Sequence, residues 1–110
     1  AWPTSLGWMM GPFLVFAALI NRATITLFDG SPLGQPFAKF LKKAKVTHLG
    51  LVPSLVKAWR QNNLFQNDEL ESIQIFSSTG ECSNSEDMAW LSKKANIKPI
   101  IEYCGGTEIG

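Results

Sequence analysis

What most limits the fold open to this chain is a regular alternation of two patterns. Short β-branched apolar runs, each closed by Gly, Pro, Ser or Thr, are separated by stretches whose apolar residues recur at helical spacing. Strands are expected over residues 23–28, 46–52, 73–76 and 98–103, with a helix before each. Parallel neighbours can be joined only by a long crossover, so helices of this length between strands argue for a parallel sheet. The expected fold is therefore α/β, a Rossmann-like and mostly parallel sheet with flanking helices. In such sheets the loops at the carboxyl ends of the strands share one rim, where ligands bind. That rim would carry Pro53 and Ser54, then Thr79, Gly80 and Glu81, and then Gly105 through Glu108.

The helices are read from their starts and stripes. Residues 6–20 are nearly all apolar, but Gly11 and Pro12 fall near the start and Asn21 and Arg22 follow at once. The run is shorter than the roughly 20 residues a membrane span needs, so a buried helix beginning near Pro12 is expected. Trp8, Met9 and Met10 precede it and are open to either core packing or ligand contact. Over residues 35–45, Phe37, Phe40, Leu41 and Ala44 define an apolar stripe. Lys39, Lys42 and Lys43 lie opposite, as a solvated face and not a phosphate site, because nothing glycine-rich precedes them. Ser54 is expected to cap the next helix over Leu55, Val56, Ala58 and Trp59. Ser83 and Glu86 have the spacing of a capping box for a helix over Met88, Leu91 and Ala95. Residues 62–71 read as a polar, irregular connection.

Composition excludes several function classes. A net charge of +1 with dispersed signs nominates neither nucleic acid nor an anionic membrane as partner. Two cysteines and one histidine are too few, and wrongly spaced, for a zinc site. Cys82 and Cys104 are read as reduced thiols of an intracellular protein, with a disulfide across neighbouring loops as the alternative. His48, in mid-strand with no carboxylate or nucleophile beside it in sequence, is read as packed and hydrogen-bonded and not as a general base. The chain begins at Ala1 and stops on a loop glycine, and is read as an internal piece of a longer chain.

Two loops carry the chemistry. Ser77-Ser78-Thr79-Gly80-Glu81 follows one apolar run, and Tyr103-Cys104-Gly105-Gly106-Thr107-Glu108-Ile109-Gly110 follows another. Each sets a hydroxyl and a carboxylate beside glycine just after a strand. A Gly-Gly after a strand can also be a plain tight turn, and this one matches neither of the common phosphate-cradling glycine patterns. The two loops in this order, with Leu6-Gly7-Trp8-Met9-Met10-Gly11-Pro12 ahead of them, resemble the acyl-activating, adenylate-forming enzymes, and most nearly the plant-type short- and medium-chain acyl-CoA synthetases. The resemblance implies a part of that family's large N-terminal, AMP-binding domain. It places the family's phosphate loop upstream of Ala1, and its ribose-binding aspartate, hinge and small C-terminal domain downstream of Gly110.

The same resemblance implies the reaction and its parts. A carboxylate attacks the α-phosphate of ATP, pyrophosphate leaves, and coenzyme A takes the acyl group. Such chemistry relies on positioning and electrostatics. By resemblance Thr107 hydrogen-bonds the α-phosphate and Glu108 holds Mg²⁺, and these two are the catalytic candidates. Gly80, Glu81, Cys82, Glu102, Tyr103, Cys104, Gly106 and Thr107 would bind the nucleotide, with Tyr103 against the adenine. Relatives often carry proline where Cys82 stands. Trp8, Met9, Met10, Thr79 and Gly105 would line the acyl pocket. Acetate-specific members carry tryptophan at the position of Gly105, so glycine there implies a longer acid. The implied partners are a small carboxylate, ATP and CoA, with no nucleic acid and no membrane span, in a peroxisomal or cytoplasmic setting. The isolated piece is expected to lack adenylating activity. A non-catalytic adenine-nucleotide-binding module is the alternative function, and a dehydrogenase-like half-domain the alternative fold, although its glycine-rich turn is missing.

Overall fold

A computed structural model describes residues 1–105, and Gly106, Thr107, Glu108, Ile109 and Gly110 lie outside the described residues. Four helices, α1 (Met10–Ile20), α2 (Gln35–Lys43), α3 (Pro53–Gln61) and α4 (Ser85–Lys94), alternate with three strands, β1 (His48–Leu51), β2 (Ile75–Ser78) and β3 (Ile100–Glu102). The strands form one sheet in the order β1-β2-β3, and both pairings are parallel, as the crossover argument requires. Leu51 pairs with Ser78 and Ser78 with Glu102, so all three strands end in register on the same edge.

Side-chain alternation decides which way the sheet faces. Leu49, Leu51 and Phe76 are fully buried, whereas His48 is exposed and Ser77 half-buried on the other side. Onto the buried side pack Leu55, Val56 and Trp59 of α3 and Met88 and Leu91 of α4, and Phe37, Ala38 and Leu41 of α2 join the same core. An Arg60 guanidinium, 2.7 Å from Asp87 and 3.6 Å from Glu86, ties α3 to α4. Ala1 covers the free edge of β1: its amino group donates to the His48 carbonyl at 2.8 Å, and the Gly50 amide donates to the Ala1 carbonyl at 2.8 Å.

Several expectations are corrected. Residues 23–28 form no strand; no described strand lies alongside to complete a ladder, and Phe28 instead packs against Phe37 and Phe40, at ring separations of 5.3 and 5.0 Å. The sheet accordingly has three described strands and not four. Its strands are also shorter or shifted: β2 begins at Ile75, two residues later than expected, and takes in Ser77 and Ser78, which the sequence places in the following loop. Nor is α1 a buried helix, since only Gly11 and Ala18 are buried, while Phe13, Phe16, Leu19 and Ile20 are exposed. A helix apolar on every side has more than one face to cover, and the described chain covers one. Residues 62–71 are more than a polar connection, for they place Leu64, Phe65 and Leu70 in the core.

Both expected helix caps move by a residue or more. Val52 occupies the N-cap of α3, with Pro53 in the first turn where its missing N–H costs no hydrogen bond. At α4 the cap is Asn84 and not Ser83: its Oδ1 accepts from the amides of Glu86 at 2.9 Å and Asp87 at 3.2 Å. Glu86 turns its carboxylate toward Arg60 instead of closing a capping box.

The α4–β3 turn holds Asn96 and Ile97 at φ of 56° and 60°, and the exposed Ile97 is a β-branched residue in the left-handed region. That conformation costs an L-residue about 1–2 kcal/mol, less for asparagine. Ile97→Asn is therefore expected to raise stability by about 1 kcal/mol, measured as a higher denaturant midpoint.

Candidate functional site

The carboxyl edge of the sheet gathers the ends of three strands. The Thr79 amide donates to the Leu51 carbonyl at 3.3 Å, and the Tyr103 amide donates to the Ser78 carbonyl at 2.9 Å. These two bonds extend the ladders past the strand ends, so the turn after β2 and the chain after β3 leave the sheet side by side. Ser78 and Thr79 are buried beneath the rim, while Gly80, Glu81, Cys82, Glu102, Tyr103 and Cys104 are exposed on it.

Gly80 has φ of +95°, outside what a side chain readily adopts. A Cβ there would sit 3.6 Å from Val52 Cγ1, an ordinary contact, so the backbone conformation and not space requires glycine. The turn thereby swings back over the start of α3. There Glu81 meets Ser54: its Oε2 accepts from the Ser54 amide at 2.7 Å and its Oε1 from the Ser54 hydroxyl at 3.0 Å. Sequence reasoning put both residues on the rim but missed their contact. No local signal marks it, because the partners are 27 residues apart.

Tyr103 folds back over Gly105. A Cβ on Gly105 would fall 2.4 Å from both Cε1 and the hydroxyl of the tyrosine, so the ring occupies the space that any side chain at 105 would need. Trp8 and Met9 are exposed where α1 begins, Met10 is half-buried, and α1 is not packed extensively against the strands. The rim residues Thr79 and Gly105 are thus together with the nucleotide candidates, whereas Trp8, Met9 and Met10 stand on a separate element. Gly106, Thr107 and Glu108 fall outside the described residues.

The other candidates lie away from the rim. His48 begins β1, at the opposite end of the strand, with Nε2 2.7 Å from Ser77 Oγ. Although the residue is exposed overall, desolvation of its ring, and secondarily the charge of the Ala1 amino group, push the imidazole pKa below the usual value. A cavity of about 700 Å³ lies at that end too, between α1 and residues 44–48, lined by Trp2, Phe13, Leu14 and Ala17 among others. Lys39, Lys42 and Lys43 are exposed as expected, and Lys42 Nζ lies 2.6 Å from Asp68. Both cysteines are free thiols on the surface. Among the described residues no three His, Cys, Asp or Glu side chains stand together as a metal site, and no helix is long and apolar enough to cross a membrane.

Comparison with known proteins decides the family. The model for the family described as AMP-binding enzyme matches residues 1–110, the whole chain. The chain belongs to the AMP-binding enzymes. Its relatives include "Hexanoyl-CoA synthase" of Cannabis sativa, 56% identical over 109 residues, and "Probable acyl-activating enzyme 17, peroxisomal" of Arabidopsis thaliana, 54% identical over 110 residues. These alignments take in 99% and 100% of this chain and 15% of each relative, so the chain spans about one seventh of their length. Among solved structures, "Acetoacetyl-CoA Synthetase from Streptomyces lividans" superposes with a TM-score of 0.81 at 31% identity, over 96% of this chain and 18% of that one. The superposition agrees with the parallel α/β architecture described above.

Proposed function

We propose that the intact protein containing this chain is an AMP-forming acyl-CoA synthetase, and that the carboxyl edge of the sheet is its adenine-nucleotide site within a partial adenylation domain. The observation that carries this reading is the register of the three strands, which sets the turn 79–82 beside the chain 103–105 on the edge where α/β sheets take ligands. The surface of Gly80, Glu81, Cys82 and Glu102 to Gly106 would receive adenine and ribose, with Tyr103 offering a flat ring and a polar tip. Thr107 would donate a hydrogen bond to the α-phosphate. Mg²⁺, a hard cation suited to a carboxylate plus phosphate oxygens, would neutralise phosphate charge, and Glu108 would hold it. Glu81 is engaged by Ser54, which favours leaving the metal role with Glu108.

In the reaction the protein positions the groups and stabilises charge. A carboxylate oxygen attacks the α-phosphorus, the bond to the pyrophosphate oxygen breaks, and the CoA thiol then displaces AMP from the acyl carbon. Short- to medium-chain acids are the proposed substrates, supported by the name of the Cannabis sativa relative and by glycine at 105, where acetate-specific members of the family carry tryptophan. A peroxisomal or cytoplasmic setting goes with this reading, and the Arabidopsis relative carries "peroxisomal" in its name.

The test is ATP–pyrophosphate exchange by the intact protein across straight-chain acids from acetate to octanoate. Exchange with butyrate and hexanoate is expected, and exchange with acetate alone would contradict the chain-length reading. Gly105→Trp is expected to cut exchange with hexanoate by about 10-fold or more relative to acetate, on the scale of blocking a few methylenes. It must also displace the Tyr103 ring, so KM for ATP is expected to rise in the same variant.

A further inference from the structure

The start of α3 lacks what a helix start ordinarily supplies for itself. Its N-cap is Val52, with no side chain able to accept a hydrogen bond, and Pro53 follows in the first turn without an N–H. Ser54 is then the first residue of the helix with an amide to satisfy, and nothing local satisfies it. The acceptor comes from another loop. The Glu81 carboxylate takes the Ser54 amide at 2.7 Å and the Ser54 hydroxyl at 3.0 Å, and its negative charge sits at the positive end of the helix dipole.

The same two bonds fix the turn that supplies the cap. Between the buried Thr79, anchored to the Leu51 carbonyl, and the Asn84 cap of α4, the exposed turn has Gly80 at φ of +95°. A glycine turn is free to take many conformations, and the Glu81 contact selects one of them. We propose that Ser54 and Glu81 form a clamp that holds the turn 79–82 in its binding conformation, making both positioning residues and Glu81 a cap for α3, with neither acting as a ligand to metal or phosphate. This inference rests on the reading of the rim as a nucleotide site. A clamp of this kind acts on nucleotide affinity: if the binding conformation is only partly populated, apparent affinity falls by that fraction.

The experiment uses the intact protein and the variants Ser54→Ala, Ser54→Thr, Glu81→Ala and Ser54→Ala/Glu81→Ala. Two readouts are taken: KM for ATP and kcat in pyrophosphate exchange, and amide hydrogen exchange of residues 79–83 without ligand. Loss of a hydrogen bond to a charged group predicts KM for ATP about 10-fold higher in Glu81→Ala and several-fold higher in Ser54→Ala, with kcat falling less than KM rises. The double variant should be no worse than Glu81→Ala, because Glu81→Ala already removes the acceptor of both hydrogen bonds and Ser54→Ala removes only the hydroxyl donor. Ser54→Thr should restore the wild-type KM. Amide exchange in the turn should quicken in both alanine variants and not in Ser54→Thr. Unchanged amide exchange, or additive effects in the double variant, would overturn the clamp whatever the enzyme does. A kcat loss without a KM change would overturn it too, by making Glu81 a participant in the chemistry. Faster amide exchange in variants of a wild-type protein that shows no pyrophosphate exchange would instead overturn the proposed function and, with it, the clamp's role in nucleotide binding.

Discussion

Glu108→Gln is expected to lower carboxylate-dependent ATP–pyrophosphate exchange by about 100-fold or more, the scale of losing one group that stabilises developing charge on phosphate oxygens. The substitution keeps size and hydrogen-bonding capacity and removes the charge that would hold Mg²⁺. AMP binding measured without Mg²⁺ should change little, because under the proposed function adenine and ribose would be met by the turn 79–82 and the chain around Tyr103. The comparison separates two accounts of the same loop. A metal ligand loses exchange and keeps AMP, whereas a residue that only shapes the loop loses both together. Retention of near wild-type exchange by Glu108→Gln would remove this glutamate from the reaction.

The largest effect on stability is expected at Trp59. Its indole is fully buried, lies 5.9 Å from the Phe37 ring in a stacked arrangement and 5.2 Å from Phe65 edge-on, and donates its Nε1 hydrogen to the Pro32 carbonyl at 2.8 Å. Trp59→Ala should cost about 3–5 kcal/mol, from lost burial and the cavity left among rings that cannot collapse into it. Trp59→Phe keeps most of the apolar volume and loses the donor, so it should cost about 1–2 kcal/mol. Denaturant midpoints of the two variants check the order. Equal losses would mean that the hydrogen bond to Pro32, and not the packing, is what the core requires. The rim depends on this core, because α3 carries Trp59 into it and presents Ser54 at its other end.

Much of this arrangement is legible in the residues. The stripe Phe37, Leu41 and the run Leu55, Val56, Trp59 announce α2 and α3, and the apolar runs around Leu49, Phe76 and Ile100 locate the three strands and their parallel order. Those signals are local, since periodicity over one turn or one pleat is enough to read them. What escaped depends on distant partners. Residues 23–28 have the β-branched composition of a strand, but a strand exists only with a ladder partner, and Phe28 found aromatic neighbours instead. The apolar run of α1 signalled burial without saying what would cover it. Ser54 reads as a cap from its place after Pro53, yet its hydroxyl goes to Glu81. On the site, the turn 79–82 and the start of the second loop, 103–105, are legible from composition, and the parallel topology brings them to one edge. That Tyr103 would lie across Gly105 was not, because it depends on a side-chain rotamer.

The central claim is that the turn after β2 and the chain after β3 grip one nucleotide between them. Hydrogen–deuterium exchange of the intact protein with and without saturating AMP tests it directly. Residues 77–84 and residues 101–110 should both gain protection, to similar extents and at the same AMP concentration. Protection of only one of these segments, or of neither while AMP binds elsewhere on the protein, would contradict it.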